Sequence, residues 1–366
     1  MKNLLIISTC GTSILTNLNR NENLLFEYSN IKDISEIENE EERGRIQNIL
    51  QNSKDKINGI QIEEAKKLSA ELNGLFTYFK GSPPAGTVLY LVPTDTLFGR
   101  FTAGLIQSYF EYSCNIKPIM IEQTDLQTKD HYLFQNALGE LSDQLSDIYE
   151  TSKENYTIVY NLTGGFKSVN AFLQTVAQFY ADESFYLFES AKELMKIPRL
   201  PVKLTIEDNI KENLSAIRKM AQGLTIKKEE LQTLTPLFYF EMDEQYSLSV
   251  WGKSLWNTVK TTIYSEKLWE SPTELVVFTD GFKRSIDTAK LTTNRIYEIN
   301  KKVDDLMKFA YDGSNPESLD CKPLHGSKLA PSTHECDAWH DQDAKRIYFH
   351  KEGNKLILDK LDKALH

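Results

Sequence analysis

Apolar and polar positions along this chain fall into alternating blocks. Leu4 to Ile7 is a continuous apolar run, the mark of a strand buried on both faces of a parallel sheet, and it passes into the small polar loop Ser8-Thr9-Cys10-Gly11-Thr12-Ser13. A polar, charge-mixed stretch covers 19–56. The spacing of Ala65, Leu68, Leu72 and Leu75 then predicts one helix over 62–79, stopped by Gly81-Ser82-Pro83-Pro84. Another apolar run, 87–92, ends in Pro93-Thr94-Asp95-Thr96 before a helix carrying Phe101, Leu105, Ile106 and Tyr109. The cycle recurs at 116–121 and at 156–160, where Asn161-Leu162-Thr163-Gly164-Gly165-Phe166-Lys167 precedes an apolar helix. Phe185 to Phe188 reads as the last strand of the series. Strand, polar loop and helix in alternation predict βαβ units and a doubly wound α/β sheet whose binding edge lies at the carboxyl ends of the strands.

The pattern changes near 198. Helical spacing over 210–224 and 231–238, a short strand at 246–249 and a helix carrying Trp251, Leu255 and Trp256 suggest a winged-helix-like connector over 198–272. From 273 to the end, one strand (275–278), a long helical pattern through Ile296, Val303, Leu306 and Ala310, and three strand candidates at 334–340, 345–351 and 355–359 describe a small α+β domain. No internal repeat or low-complexity tract interrupts this order.

A length of 366 residues suits two or three domains at roughly 150 residues each. The composition, 40% hydrophobic, is that of a globular protein rather than a disordered one. The apolar run at the start is too short for a signal-peptide core or a membrane span, so a cytoplasmic protein with no membrane partner is expected. Cys10, Cys114, Cys321 and Cys336 form no C-x-x-C pair and read as ordinary thiols of a reduced compartment. A net charge of -10 excludes a protein that coats nucleic acid through a broad basic surface.

The three loops that follow buried strands, Gly11-Thr12-Ser13, Thr94-Asp95-Thr96 and Asn161 to Lys167, offer hydroxyls, backbone N–H groups and, in Lys167, a cation at a helix start. Amides and a helix dipole favour an anion there. Glycine at 164 and 165 lets a ligand backbone approach closely. The plain alternative is a Gly-Gly turn beside a solvated lysine. Neither the P-loop spacing nor a G-x-G-x-x-G follows any strand, which argues against a nucleoside triphosphate or dinucleotide site. Gly11-Thr12-Ser13 together with the N-x-T-G-G-F-K string at 161–167 resembles the CARF domains of type III CRISPR defence, over residues 1–197. The resemblance implies a Rossmann-like fold, a homodimer, and a pocket on its two-fold axis for cyclic tetra-adenylate as allosteric activator, with no cofactor. The ligand-binding residues would be Gly11, Thr12, Ser13, Thr94, Asp95, Thr96, Asn161, Thr163, Gly164, Gly165, Phe166 and Lys167. Ser13 and Lys167 match positions that in some relatives also cleave the ring.

Five of the six histidines, His325, His334, His340, His350 and His366, lie at the C-terminal end. Cys321, His325, His334, Cys336 and His340 fit no common zinc spacing, so no metal is expected. Solvated surface histidines are the plain reading. Lys322-Pro323-Leu324-His325-Gly326, followed by a strand and then Lys345-Arg346-Ile347-Tyr348-Phe349-His350, resembles the RelE family of messenger RNA interferases over 273–366. That resemblance implies metal-free endoribonuclease chemistry on ribosome-bound mRNA: attack by a 2′-hydroxyl, a base to take its proton, cations for the phosphate and an acid for the leaving oxygen. Arg346 matches the phosphate-stabilising arginine. His334 or Glu335 would serve as base, His366 as acid, and Lys322 and Lys328 would hold phosphates. The paired lysines of several relatives are replaced by His334-Glu335-Cys336-Asp337. A HEPN nuclease is excluded, since Arg346 and His350 are separated by three residues where that motif needs four to six.

Together the two resemblances describe a CRISPR-associated mRNA interferase. The alternatives are a cyclic-oligoadenylate-responsive DNA-binding regulator and a ring nuclease with an inactive C-terminal domain.

Overall fold

The computed structural model describes residues 2–364 apart from 21, 58, 188–192, 202–205, 232, 325–328 and 342. The chain divides into two compact units, Met1–Val202 and Lys203–His366. The expected boundary at 272 lies inside the second unit, which therefore holds both the connector and the C-terminal segment.

The first unit runs β1 (Asn3–Cys10), α1 (Ser13–Leu18), α2 (Leu24–Glu27), α3 (Glu40–Ile57), α4 (Ile62–Leu68), α5 (Ala70–Phe79), β2 (Val88–Pro93), α6 (Leu97–Cys114), β3 (Ile119–Met120), α7 (His131–Ser152), β4 (Tyr156–Asn161), α8 (Lys167–Tyr180), β5 (Glu183–Leu187) and β6 (Leu194–Pro198). Its sheet has the order β3-β2-β1-β4-β5-β6, parallel except for β6. The apolar runs are the buried strands: Ile6, Leu89, Leu91 and Val159 pack with Leu72, Leu75, Ile106 and Tyr109 in one core. Chain order reverses between β1 and β4, the point along the carboxyl edge where such sheets place their ligand sites.

Two sequence expectations need correction in this unit, and one helix is present that the apolar pattern does not show. The helix over 62–79 is two helices, broken at Ser69, which is extended and whose hydroxyl accepts the Leu72 amide to start α5. The polar stretch contains α3, whose buried Ile46, Ile49 and Ile57 are too sparse among charges to stand out. The run 185–188 is not the last strand, because β6 pairs antiparallel along β5; Phe188 lies outside the described residues.

The second unit runs α9 (Glu207–Glu212), α10 (Leu214–Ala221), β7 (Tyr239–Met242), β8 (Gln245–Leu248), α11 (Val250–Glu266), β9 (Val276–Phe278), α12 (Asp280–Ala289), α13 (Thr293–Asp312), β10 (Lys322–Pro323), β11 (His334–Trp339), β12 (Lys345–Glu352) and β13 (Lys355–Lys363). Strands β10 to β13 form an antiparallel meander, and β9 adds to β13 in parallel. One face of this sheet, with Cys336, Ile347, Phe349 and Leu358, packs on Phe282 of α12 and on Ile299, Val303 and Leu306 of α13. The expected helix over 231–238 does not form among the described residues: Pro236 cannot continue a helix ladder and instead begins a single 3-10 turn, Pro236–Phe238. Connector and C-terminal segment are joined by a buried ion pair, Arg218 of α10 to Asp304 of α13 at 2.7 Å, to which Tyr264 of α11 also donates. Among the described residues, no helix is long and apolar enough to cross a membrane.

Candidate functional site

Registers fix the loop edge of the first unit. Cys10 pairs with Pro93 and Ser8 with Asn161, so Gly11-Thr12-Ser13, Thr94-Asp95-Thr96 and Asn161 to Lys167 all leave the same edge of three adjacent strands. The first and third loops touch. A Cβ on Gly11 would lie 2.8 Å from the Gly165 nitrogen, and Gly165 itself takes a left-handed φ of +94°, where an added Cβ would lie 2.9 Å from the Thr9 Cβ. Glycine is required at both places by close approach and conformation. Thr9 Oγ1 donates to the Gly164 carbonyl at 2.6 Å, and Asn170 Nδ2 donates to it at 2.8 Å. Asn161 is fully buried, giving Nδ2 to Ser8 Oγ at 2.9 Å and accepting the Thr163 hydroxyl at 2.7 Å, so it shapes the loop from below. Lys167 is exposed and is the first residue of α8. Its N-cap Phe166 makes no side-chain cap bond, and the first turn carries no acidic residue.

The residue that sequence reasoning missed is Glu71. It is fully buried, yet its carboxylate sits under both loops: it accepts the Gly11 amide at 2.6 Å, the Ser13 hydroxyl at 2.9 Å and the Ser69 hydroxyl at 2.7 Å. A Cβ on Gly164 would lie 1.9 Å from its Oε1. Ser13 Oγ also accepts the Ala70 amide at 3.0 Å. Burial, and then the Glu71 charge, push the neighbouring Cys10 thiol well above its ordinary range.

Thr94, Asp95 and Thr96 are engaged locally. Thr94 and Thr96 are buried with their hydroxyls 3.2 Å apart, and Thr96 caps α6 by accepting the Gly99 amide at 3.1 Å. Asp95 pairs with Lys32 at 2.8 Å and with Arg100, and accepts the Asp125 amide at 2.8 Å. Burial pushes its carboxyl up, but these partners outweigh burial and hold it below the usual carboxylate range.

In the second unit the expected catalytic residues fall on two faces of one sheet. Opposed residues share a face, so Arg346, Asp337, Glu335 and Tyr348 lie on the face away from the α12–α13 core, while His334 stacks on Phe349 with ring centroids 5.4 Å apart. The Arg346 guanidinium is ringed by Asp337 at 3.0 Å, Asp320 at 3.2 Å and Glu335 at 3.3 Å. Burial works against its charge, but Asp337 and Glu335 outweigh it and raise its affinity for the proton. Glu335 is buried, and its Oε2 has no hydrogen-bond partner. Burial and then Lys351 hold His334 below its ordinary value, while burial and Glu335 push Tyr348 up to about 12. Lys322 is paired with Asp320 at 2.6 Å. His325, Lys328 and His366 lie outside the described residues.

Residues 66–200 match the model of the family described as CRISPR-associated protein (Cas_APE2256). That match supports a CRISPR-associated protein. It falls within the first unit and takes in Glu71, β2, β4 and the whole Asn161–Lys167 loop; β1 and Gly11 to Ser13 precede it. No curated protein matches the chain.

Proposed function

We propose that this CRISPR-associated protein is a ligand-switched effector of type III defence. Its first unit binds cyclic tetra-adenylate at the β1/β4 loop edge as a homodimer, and its second unit is a RelE-like endoribonuclease acting on ribosome-bound mRNA. The observation that carries the first half is the close approach of Gly11 and Gly165 at the point where chain order reverses, inside a chain whose residues 66–200 match a CRISPR-associated family. An exposed lysine and an uncapped, acid-free helix start are what a phosphodiester needs. Gly11 N–H and the Ser13 hydroxyl already donate to Glu71, so phosphate contacts are assigned chiefly to Lys167 and the start of α8, with Glu71 holding the cradle from beneath. A ring of four repeated nucleotides suits a two-fold dimer.

In the second unit, Glu335 rather than His334 is the base that shares Arg346's face. The 2′-oxygen would bond to phosphorus as the bond to the 5′-oxygen breaks. The 2′-proton would pass to Glu335, and His366 would supply a proton to the leaving oxygen. Arg346 would balance the charge gathering on the phosphate, which requires the RNA to replace Asp320 and Asp337, the more exposed of its three acids. Ligand binding would favour that open state by differential affinity. Ring cleavage in the first unit is a second reading, favoured by the Ser13–Glu71 hydrogen bond, a hydroxyl aligned on a carboxylate.

The test is purified protein with ribosomes on a defined message, with and without cyclic tetra-adenylate, mapping RNA ends and ring integrity. Ligand-dependent cuts that vanish in Arg346→Ala and in Lys167→Ala support the proposal. Ring breakdown without RNA cuts, or ligand-independent cutting, overturns it.

A further inference from the structure

On the helix side of the second unit, a cleft of about 390 Å³ opens between α13 and the end of β11, remote in chemistry from the Arg346 face. That volume lies in the range of small-ligand sites, about 300–1,000 Å³. Its walls come from one face of α13, with Arg295, Glu298, Lys302 and Asp305 at helical spacing, and from Trp339 and His340.

The charges in this cleft are not equivalent. Arg295 lies over the Trp339 ring, 4.4 Å from its centroid, and is held by Glu298 at 2.7 Å and by Asp341. Its positive charge is therefore balanced, and what it presents is a fixed flat guanidinium backed by an indole, a surface suited to stacking. Lys301 and Lys302 differ: neither makes an ion pair among the described residues, Lys301 resting over the Tyr297 ring and Lys302 donating to the Ser318 carbonyl. Two cations held in no ion-pair contact among the described residues, beside a stacking plane, are the pairing by which single-stranded nucleic acids are held, phosphates on the lysines and a base on the flat group. Asp305, one turn further along α13 from both lysines, gives a hydrogen-bonding edge; burial pushes its carboxyl up although Lys302 and Lys301 act to lower it.

We propose that this cleft binds a segment of single-stranded RNA, with one base on the Arg295–Trp339 stack and adjacent phosphates on Lys301 and Lys302. The second unit, with 24 Lys and Arg against 26 Asp and Glu over 203–366, has no overall positive charge for RNA; the site would give it a local grip, and it holds whether or not Arg346 cuts. Ser318, which lines the cleft and ties to Lys302, is two residues from Asp320, which holds Arg346. RNA that draws Lys302 away would loosen the segment bearing one of the arginine's three acids.

The experiment uses the full-length protein and a short 2′-O-methyl oligoribonucleotide, which cannot be cleaved by 2′-attack, so loss of nuclease activity and loss of binding are read separately. Binding is measured by fluorescence anisotropy across a salt series. We expect Lys301→Ala/Lys302→Ala to weaken binding about tenfold or more and to lower the log–log salt slope by about 0.7 per lysine removed. Asp305→Asn should change the ranking of oligonucleotides of different base without changing that slope. Lys54→Ala/Lys56→Ala, which removes two exposed lysines of α3 outside both proposed sites, should leave affinity within about twofold, the size of an indirect effect. Unchanged binding in the Lys301/Lys302 double variant, no saturable binding by the parent protein, or an equal loss in the α3 double variant would overturn the assignment.

Discussion

Glu71 accepts the backbone amide of Gly11 at 2.6 Å across sixty positions of sequence. The same buried carboxylate takes the hydroxyls of Ser13 and Ser69, so three donors, from the loop after β1, the start of α1 and the α4–α5 junction, converge on one carboxylate beneath the loop edge. A carboxylate removed from water is tolerated only when its oxygens are satisfied, and in return it fixes every group that satisfies it. The loop that leads from β1 into α1 is thus held by a residue of α5, and the Gly164–Gly165 turn closes over the same carboxylate.

Replacing Glu71 with alanine leaves three donors without their acceptor in a dry place. Each such loss costs about 1–3 kcal/mol, and a total of roughly 3–5 kcal/mol is expected for the site. Glu71→Gln keeps one acceptor oxygen and should lose less. Urea unfolding followed by far-ultraviolet circular dichroism measures both; an alanine variant with the parent's midpoint would mean that the network carries no stability.

Gly164→Ala tests the contact from the other side. Its new methyl would meet Glu71 Oε1 at 1.9 Å, so the turn or the carboxylate must move. Combined with Glu71→Ala, which removes the obstacle, the substitution should cost much less than it does alone, a coupling of about 0.5–3 kcal/mol. Additive costs in the double-mutant cycle would show that Gly164 is required for another reason.

Much of this edge could be read from the chain. Three apolar runs ending in polar loops are enough to align Gly11, Thr94 and Asn161, because parallel strands buried on both faces leave few alternative arrangements. Glu71 was open to detection as well: three residues after Leu68 and four before Leu75, it places a charge on the buried stripe of an apolar helix. It is hidden because Ser69, the cap that divides α4 from α5, also lies in that stripe and reads as one more helical position. In the second unit the order of strands is plain, but the surroundings of Arg346 are not. Asp320 comes from outside the strand pattern, and whether Glu335 and Asp337 face the arginine depends on register, in which a slip of one residue reverses every side chain.

His350 gives a pH dependence whose sign is fixed. Its Nδ1 lies 3.0 Å from Asp359, and that hydrogen bond, opposed by burial and aided by Glu352, raises its proton affinity above the ordinary histidine value. The folded protein therefore holds the proton more tightly than the unfolded chain. Stability from this pair is complete below about pH 6.5, the value for an unfolded histidine, and fades as pH rises through the folded value. Unfolding midpoints taken from about pH 6 to about pH 8 should fall more steeply in the parent than in His350→Asn. Parallel profiles would remove the histidine from any role in stability.

Arg346 has two possible employments, and its carboxylates separate them. As a structural tie, it neutralises Glu335, whose side chain is only 4% exposed; Arg346→Ala would then strand a buried charge and lower stability by about 3–5 kcal/mol. As a phosphate-handling group, it must exchange Asp320 and Asp337 for RNA, and those acids oppose binding by both competition and repulsion. Under the ribonuclease proposal, Asp320→Asn and Asp337→Asn should each speed RNA cutting at limiting substrate by several-fold, because about 1 kcal/mol of competing attraction is removed with each charge. Under the purely structural alternative, the same substitutions lower stability and leave RNA cutting unchanged or absent. Measuring unfolding midpoints and RNA ends on the same preparations distinguishes the two, since only a phosphate-handling arginine gains activity when its carboxylates are neutralised.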